Sequence, residues 1–166
     1  MTNIILLSGW KGSGKDYVAD IIVETYNYKK IGFADIVKDH VSKKYKIKRR
    51  LLDTQEGKMK MYNNIKSHRD LLIDYAEAKR KECVYYWAKI ANERINKYNE
   101  NIVISDWRFI EEYRYLCNNS EYNITTIRIN RFETNNSSCL TEKSLDDYDF
   151  DYIIDNKDTN KIKLTI

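Results

Sequence analysis

Three glycines and a lysine near the N-terminus have the spacing of a phosphate-binding loop. The segment Gly9-Trp-Lys-Gly-Ser-Gly-Lys15-Asp16 matches the pattern G-x-x-x-x-G-K, with Asp where Ser or Thr usually follows. Its glycines allow a tight turn that points backbone N–H groups at phosphate oxygens, and the lysine adds a mobile positive charge. We therefore predict that ATP is bound through its phosphates by Gly9, Lys11, Gly12, Ser13, Gly14, Lys15 and Asp16.

The segments that flank this loop favour a phosphate site over a glycine-rich turn that binds nothing. Ile4–Leu7 is a short, continuous apolar run, which is typical of a strand buried on both faces of a parallel sheet. After Lys15, apolar residues recur every three or four positions and predict an amphipathic helix. A helix that begins at the loop directs its unpaired N–H groups and positive dipole end at a bound phosphate.

A second carboxylate, Asp106, ends the next clear strand. Three β-favouring residues, Ile102–Ile104, precede Ser105 and Asp106. We predict that Asp16 and Asp106 together organise Mg²⁺, because this ion is commonly held by one or two carboxylates and the phosphates of the substrate. The alternative role for Asp106 is the N-cap of a helix that starts near Arg108, a position that Asp favours.

Strands and helices alternate along the rest of the chain. Further strands are predicted at Ile31–Phe33, Ile124–Asn130 and Tyr152–Ile154. Helices are predicted at Ala34–Lys44, in two segments between Leu71 and Ile95 that meet near Lys81–Cys83, and after Arg108. The basic stretch Tyr45–Lys66 has no clear helical or strand period, so we predict a loop with a possible helix there. The polar stretch 132–149 is predicted to be a loop that closes over a ligand. This alternation predicts an α/β fold with helices on both faces of a central parallel sheet.

Length and composition are those of one compact domain, residues 1–166. The net charge of +4 suits a small anionic substrate and is too mild for stable binding of nucleic acid. Three widely spaced cysteines without a CxxC pair favour a reduced compartment, so we predict the cytoplasm and no zinc site. The apolar run Ile4–Leu7 is too short for a signal peptide or a membrane span, so no membrane partner is predicted.

The motifs resemble two related branches of the P-loop kinases. Ser8–Asp16 looks like the loop S-G-x-K-x-S-G-K-D shared by phage-type deoxynucleoside monophosphate kinases and animal-type phosphomevalonate kinases. Further similar segments follow in order at Phe33–Lys38, Tyr86–Lys89, Ser105–Arg108, Ile127–Arg131 and Leu140–Glu142. The resemblance implies a three-layer P-loop kinase fold and transfer of a phosphoryl group from ATP to a phosphorylated acceptor.

The resemblance also implies individual roles. Lys15 would hold the β- and γ-phosphates, and Lys11 would face the transferring group. Arg108 would clamp the phosphate of the acceptor beside Asp106, and Arg131 would close on the transferred group, because guanidinium groups pair well with phosphate. Weaker candidates for acceptor binding, each more often a solvated surface charge, are Lys38, Arg50, Arg69 and Arg80.

We expect the acceptor to be a deoxynucleoside monophosphate. Tyr86–Lys89 resembles a segment of the nucleotide kinases, and aromatic rings stack on flat bases, although Tyr86 and Trp87 at helical spacing are more often core. The phage-type resemblance would place a viral protein of this kind in the host cytoplasm. Phosphomevalonate is the rival acceptor, since Leu51–Thr54, Glu77–Arg80 and Asp149–Ile154 resemble the mevalonate branch. That branch usually has a second arginine where Phe109 follows Arg108.

Two hypotheses from other classes stay open. The basic segment Lys43–Arg50 could belong to a nucleic-acid-binding module, which predicts binding with a steep salt dependence. The chain could also be a regulatory ATP-binding protein without catalysis. The tail Lys161–Ile166 is too short for the closing helix that such kinases usually carry, so part of the adenine pocket could be built differently or be completed by a partner subunit, as in a homodimer.

Overall fold

A computed structural model of the protein describes residues 1–131 and 144–156. The described strands are β1 (Thr2–Ser8), β2 (Lys29–Ile31), β3 (Met61–Tyr62), β4 (Lys66–Ser67), β5 (Ile102–Ile104), β6 (Tyr122–Asn130) and β7 (Tyr152–Asp155). The helices are α1 (Lys15–Tyr26), α2 (Phe33–Tyr45), α3 (Gln55–Met59), α4 (His68–Glu82), α5 (Tyr86–Tyr98) and α6 (Ile110–Leu116), with a 3-10 turn at Arg49–Leu52.

Five of the strands form one parallel sheet in the order β2-β5-β1-β6-β7. β1 is central, because Ile4 pairs with Ile102 on one side and with Ile124 on the other. The prediction of an α/β fold with a central parallel sheet is confirmed, and the arrangement is consistent with a three-layer P-loop kinase fold.

The core forms around β1 because its apolar residues are buried on both faces of the sheet. Ile4 and Leu6 are 0% exposed, and the alternate residues Ile5 and Leu7 pack in a cluster that includes Val18, Ala19 and Ile22 of α1. Burying such side chains contributes about 1.5–3 kcal/mol each. This packing fixes the end of β1 and the start of α1, and therefore the loop between them.

The contacts divide the molecule into two compact units. The sheet unit comprises Met1–Gly32 and the described part of Ile95–Ile166, and the helical unit comprises Phe33–Arg94. Within the helical unit, Thr54 and Ser67 begin helices α3 and α4 by accepting hydrogen bonds from the N–H groups of Gly57 (3.0 Å) and Asp70 (3.1 Å). The single domain over 1–166 stays a prediction.

Several predicted boundaries need correction. Phe33 begins α2 instead of ending a strand, and α5 begins at Tyr86, so Val84 lies between two helices. The stretch Tyr45–Lys66, predicted to be a loop with a possible helix, contains the 3-10 turn, α3 and a short β3–β4 hairpin, each too short to show a period. Of the predicted lid, 132–149, residues 132–143 lie outside the described part of the chain.

Asp106 is not a helix N-cap. The helix after β5 begins at Ile110 and its N-cap residue is Phe109. The Glu112 carboxylate accepts hydrogen bonds from the backbone N–H groups of Phe109 (3.2 Å) and Arg108 (3.3 Å), and so takes the place of a capping side chain. None of the described helices combines the length and the apolarity needed to cross a bilayer.

Candidate functional site

The glycine-rich loop joins the end of β1 to the start of α1. Gly9, Gly12 and Gly14 have φ angles of 152°, 81° and 98°, so each lies in backbone conformations that favour glycine. Gly14 is the N-cap residue of α1, and its carbonyl accepts a hydrogen bond from the N–H of Val18 (3.0 Å). The loop therefore has the backbone conformation that the sequence pattern predicts.

Lys15 folds its side chain back over the loop. Its Nζ donates hydrogen bonds to the carbonyl oxygens of Gly9 (2.6 Å) and Trp10 (2.8 Å). These contacts hold the ammonium group beside the turn that the predicted phosphates would occupy. Lys11 is exposed on the same loop, as expected of a residue that faces a transferring group.

Arg131 lies beside the phosphate loop, so a third predicted cation joins Lys11 and Lys15 there. It directly follows β6, and its Nη1 donates a hydrogen bond to the Gly12 carbonyl oxygen (3.3 Å). Because β6 neighbours β1 in parallel, their carboxyl ends meet at one edge of the sheet. The sequence prediction grouped Arg131 with the loop, and the structure brings the two together.

The segment Asp106–Arg108 is held at the same edge by a buried tryptophan. Trp107 is 1% exposed, its backbone N–H donates to the Leu7 carbonyl (3.2 Å), and its Nε1 donates to the Phe109 carbonyl (2.8 Å). Arg108 is exposed beside this anchor, and its carbonyl accepts a hydrogen bond from the Ser144 hydroxyl. Trp107 thus fixes the backbone from which Asp106 and Arg108 project.

The Asp16 carboxylate has two partners that the sequence analysis missed. The Ser105 hydroxyl donates to Asp16 Oδ1 (3.0 Å), and the Lys30 ammonium lies 3.1 Å from the same oxygen. Partial burial alone would raise the pKa of Asp16, but the hydrogen bond and charge of Lys30, with the Ser105 hydroxyl, lower it below its ordinary value. Ser105 could have been found from its position at the end of β5, whereas no pattern singles out Lys30.

The residues around Asp16 fit a magnesium ion bound together with a nucleotide. A carboxylate that is 81% exposed and a neighbouring hydroxyl supply the oxygen ligands that Mg²⁺ prefers, and phosphates commonly supply others. Within residues 1–131 and 144–156, no three His, Cys, Asp or Glu side chains cluster as a metal site. A dedicated protein cage is not needed for Mg²⁺ in a kinase, so Asp16 and Asp106 stay the predicted ligands.

Arg128 is a buried cation that the sequence analysis passed over. Only 7% of it is exposed, and its guanidinium donates to the Ser8 hydroxyl (3.2 Å) and to Asp146 Oδ1 (2.6 Å). The guanidinium also lies 5.7 Å from the centre of the Phe150 ring. The sequence feature that could have identified Arg128 is its position between apolar residues of β6. Its contacts join the end of β1 to the segment after residue 143.

In the helical unit, the predicted acceptor-binding residues Lys38 and Arg69 affect the pKa of a third cation, Lys58. Burial, and then the positive charges of Lys38 and Arg69, lower the pKa of the Lys58 ammonium below its ordinary value. Lys38 itself is held by Asp35 (2.8 Å) and Asp53 (3.1 Å). The sequence analysis missed Lys58 because it lies in Tyr45–Lys66, a stretch without a clear helical or strand period.

The structure does not bring the other two candidates into this group. Arg50 is exposed on the 3-10 turn, whereas its neighbour Arg49 contacts Asp39 (2.7 Å), Asp35 (2.9 Å) and Asp53. Arg80 is half-buried in the last turn of α4. Their acceptor-binding roles stay predictions.

Of the two aromatic residues considered for base stacking, Trp87 lies in the interior of the helical unit, as its helical spacing favoured, and Tyr86 is half-buried. Trp87 is 2% exposed, and its Nε1 donates to the Ala76 carbonyl (3.1 Å). Tyr86 packs edge-to-face on it, with 4.9 Å between ring centres. His68 is also buried in this unit, and its Nδ1 forms a hydrogen bond with the Gly57 carbonyl (2.8 Å). Trp87 therefore gives no support to base recognition.

The fold and the glycine-rich loop are consistent with the class of P-loop kinases. Comparison with protein families gives a match to the phosphomevalonate kinase family over residues 7–122, which include the loop, the helical unit and β5. The chain belongs to the phosphomevalonate kinase family. Comparison with individual curated proteins gives no significant match.

Proposed function

We propose that the protein transfers the γ-phosphoryl group of ATP to the phosphate of phosphomevalonate. The family match over residues 7–122 carries this proposal, and the conformation of Gly9–Lys15 supports it. The match also reverses the preference for a deoxynucleoside monophosphate. That preference rested on Tyr86–Lys89 and on the aromatic residues of the chain, and the burial of Trp87 weakens one part of this support.

The reaction needs charge neutralisation and alignment more than covalent chemistry. An oxygen of the acceptor phosphate attacks the γ-phosphorus of ATP, a new P–O bond forms, and the bond to the β-phosphate oxygen breaks with release of ADP. Lys15 stabilises negative charge on the β- and γ-phosphates. Lys11 and Arg131 approach the transferring group from the exposed arc of the loop and from the end of β6.

Acceptor binding is assigned to cationic side chains. Arg108 at the end of the β5 segment binds the acceptor phosphate as a bidentate donor. Within the helical unit, the positive charges of Lys38 and Arg69 lower the pKa of Lys58, and a group of cations of this kind favours an anionic ligand. Asp16 and Asp106 are assigned to Mg²⁺, which neutralises phosphate charge in such reactions.

An acceptor panel tests this proposal. The purified protein is incubated with MgATP and either phosphomevalonate, one of the four deoxynucleoside monophosphates, or mevalonate, and ADP release is followed by a coupled assay. We expect turnover with phosphomevalonate and none with mevalonate, which lacks the attacking phosphate. Turnover confined to a deoxynucleoside monophosphate would overturn the assignment and restore the nucleotide-kinase hypothesis. Lys15→Ala protein serves as the control for contaminating kinases.

A further inference from the structure

The residue that follows β7, Asn156, packs directly against the phosphate loop. It is 1% exposed, and its backbone N–H donates to the Asn130 carbonyl at the end of β6 (2.6 Å). Its side-chain Nδ2 donates to the carbonyl oxygen of Ser13 (2.8 Å), in the middle of the loop. Asn156 lies outside the family match, which ends at residue 122.

We propose that Asn156 is a positioning residue that orients the Ser13–Gly14 peptide group for phosphate binding. This inference deepens the proposed function, because it concerns the same phosphate loop. In a planar trans peptide, the C=O and the N–H point in opposite directions. When Asn156 holds the Ser13 carbonyl, it turns the Gly14 N–H to the opposite side, where a phosphate oxygen is predicted to accept it.

The requirement for glycine at position 14 is consistent with this role. A Cβ atom at Gly14 would lie less than 3.0 Å from Asn156 Nδ2, closer than Cβ contacts in real proteins. Its φ of 98° also disfavours any other residue. The Asn156 amide therefore occupies the space beside Gly14 that a side chain would need, and the two positions are expected to depend on each other.

Two unpaired polar atoms mark the same place. Ser13 Oγ and Asn156 Oδ1 are both buried without a hydrogen-bond partner among the described residues. Buried polar groups are normally paired, so leaving two of them unpaired costs free energy. The contact between Asn156 and the loop is thus maintained at a local cost to stability, as expected of residues placed for function.

The test measures phosphate binding without any acceptor. Inorganic tripolyphosphate with Mg²⁺ is titrated by calorimetry into the wild-type, Asn156→Ala and Asn156→Leu proteins. The leucine variant keeps the side-chain volume of asparagine and serves if the alanine variant does not fold. The control is Asn123→Ala. This change removes an exposed hydrogen bond from the Asn123 side-chain Nδ2 to Asn3 Oδ1 (2.9 Å), at the opposite end of β1 and β6 from the loop. We expect roughly five- to tenfold weaker binding by the Asn156 variants, from the loss of one positioned hydrogen bond, and unchanged binding by the control.

Wild-type affinity in a folded Asn156 variant would overturn the positioning role, even if the variant melts at a lower temperature. No binding by the wild-type protein would instead show that the phosphate-site function itself is wrong. The two failures are therefore distinguishable.

A double-mutant cycle gives a second readout. Gly14→Ala is made in the wild-type and Asn156→Ala proteins, and tripolyphosphate affinity and thermal unfolding are measured for each. We expect Gly14→Ala to lower the midpoint of unfolding less in the Asn156→Ala protein, because the clash with Nδ2 is gone and only the φ strain remains. Equal effects in both proteins would contradict the coupling.

Discussion

The sheet unit and the helical unit hold their charged groups in different ways. In the sheet unit, the phosphate loop is shaped by backbone conformation and by contacts from buried groups, such as the bond from Asn156 to Ser13. In the helical unit, cations such as Lys38 and Arg49 are held by carboxylates that stay partly exposed. The conformation of the first group depends on the backbone and on buried contacts, whereas the positions of the cations in the second depend on ion pairs between partly exposed side chains.

The largest effect on turnover is expected from removal of Lys15, the lysine of the loop. Lys15→Ala should lower turnover by about a thousandfold or more, because the charge on the transferring phosphates is no longer neutralised. A coupled ADP-release assay measures it, with Lys29→Ala, an exposed lysine of β2, as the matched control. Activity close to that of the wild type would show that the loop does not bind the reacting phosphates.

A pair of glycine variants sharpens the difference between the units. A Cβ at Gly9 would lie less than 3.0 Å from the Ile129 carbonyl, and a Cβ at Gly57 would meet the Leu51 carbonyl in the same way. Each Gly→Ala change should lower the free energy of unfolding by about 3 kcal/mol, measured with urea. Only Gly9→Ala should also weaken tripolyphosphate binding. Equal losses of binding in the two variants would contradict the assignment of the phosphate site to the sheet unit.

A smaller effect is expected from the cation group of the helical unit. Lys58→Ala should raise the KM for the acceptor about tenfold and leave the KM for ATP unchanged, because one charged contact to the acceptor is lost. Lys60→Ala is the control, since Lys60 pairs only loosely with Glu56, at 3.7 Å. Initial-rate kinetics with each substrate varied in turn give both constants. A rise in the KM for ATP alone would remove Lys58 from the acceptor site.

The smallest expected effect is on the pH dependence of stability. Partial burial would raise the pKa of Asp39, but hydrogen bonds and charges from Arg94 (2.7 Å) and Arg49 lower it below its ordinary value. The resulting stability is therefore present above the unfolded pKa of about 3.9 and is lost as pH falls through the folded pKa.

Asp39→Asn should lower the free energy of unfolding by about 1 kcal/mol at pH 7, a modest amount because the pair is partly exposed. The deficit should shrink towards zero as the pH falls below about 3.9. Urea unfolding at a series of pH values from 7 to 3 measures this deficit in the free energy of unfolding. The control is Glu56→Gln, a change at an exposed carboxylate. A deficit that is constant with pH would mean that the change in packing, and not the charge, is responsible.

The sequence was most informative where local rules decide the structure. The four apolar residues Ile4–Leu7, the glycines after them and the helical period after Lys15 predicted β1, the loop and α1 correctly. These elements are specified by short-range spacing, and burial of a strand on both faces leaves a continuous apolar run. Family resemblance grouped Arg131 with the loop, although the two are more than a hundred positions apart in the chain.

The remaining parts of the site depend on contacts that no local pattern records. Ser105 meets Asp16 only because β5 pairs with β1, and Asn156 meets Ser13 only because β7 joins the same sheet through β6. Helical spacing favoured the interior for Trp87, but its hydrogen bond to the Ala76 carbonyl could not be predicted from the sequence. Each of these contacts depends on tertiary pairing, which short-range spacing does not specify.

The order of strands in the sheet has a consequence for biosynthesis. β1 is made first, yet its two neighbours, β5 and β6, begin at residues 102 and 122. During translation, the apolar Ile4–Leu7 segment must therefore wait without strand partners until most of the polypeptide has left the ribosome. Long-range parallel pairing of this kind slows folding and exposes nascent chains to aggregation. The end of the protein that carries the glycine-rich loop, although encoded first, is expected to mature last.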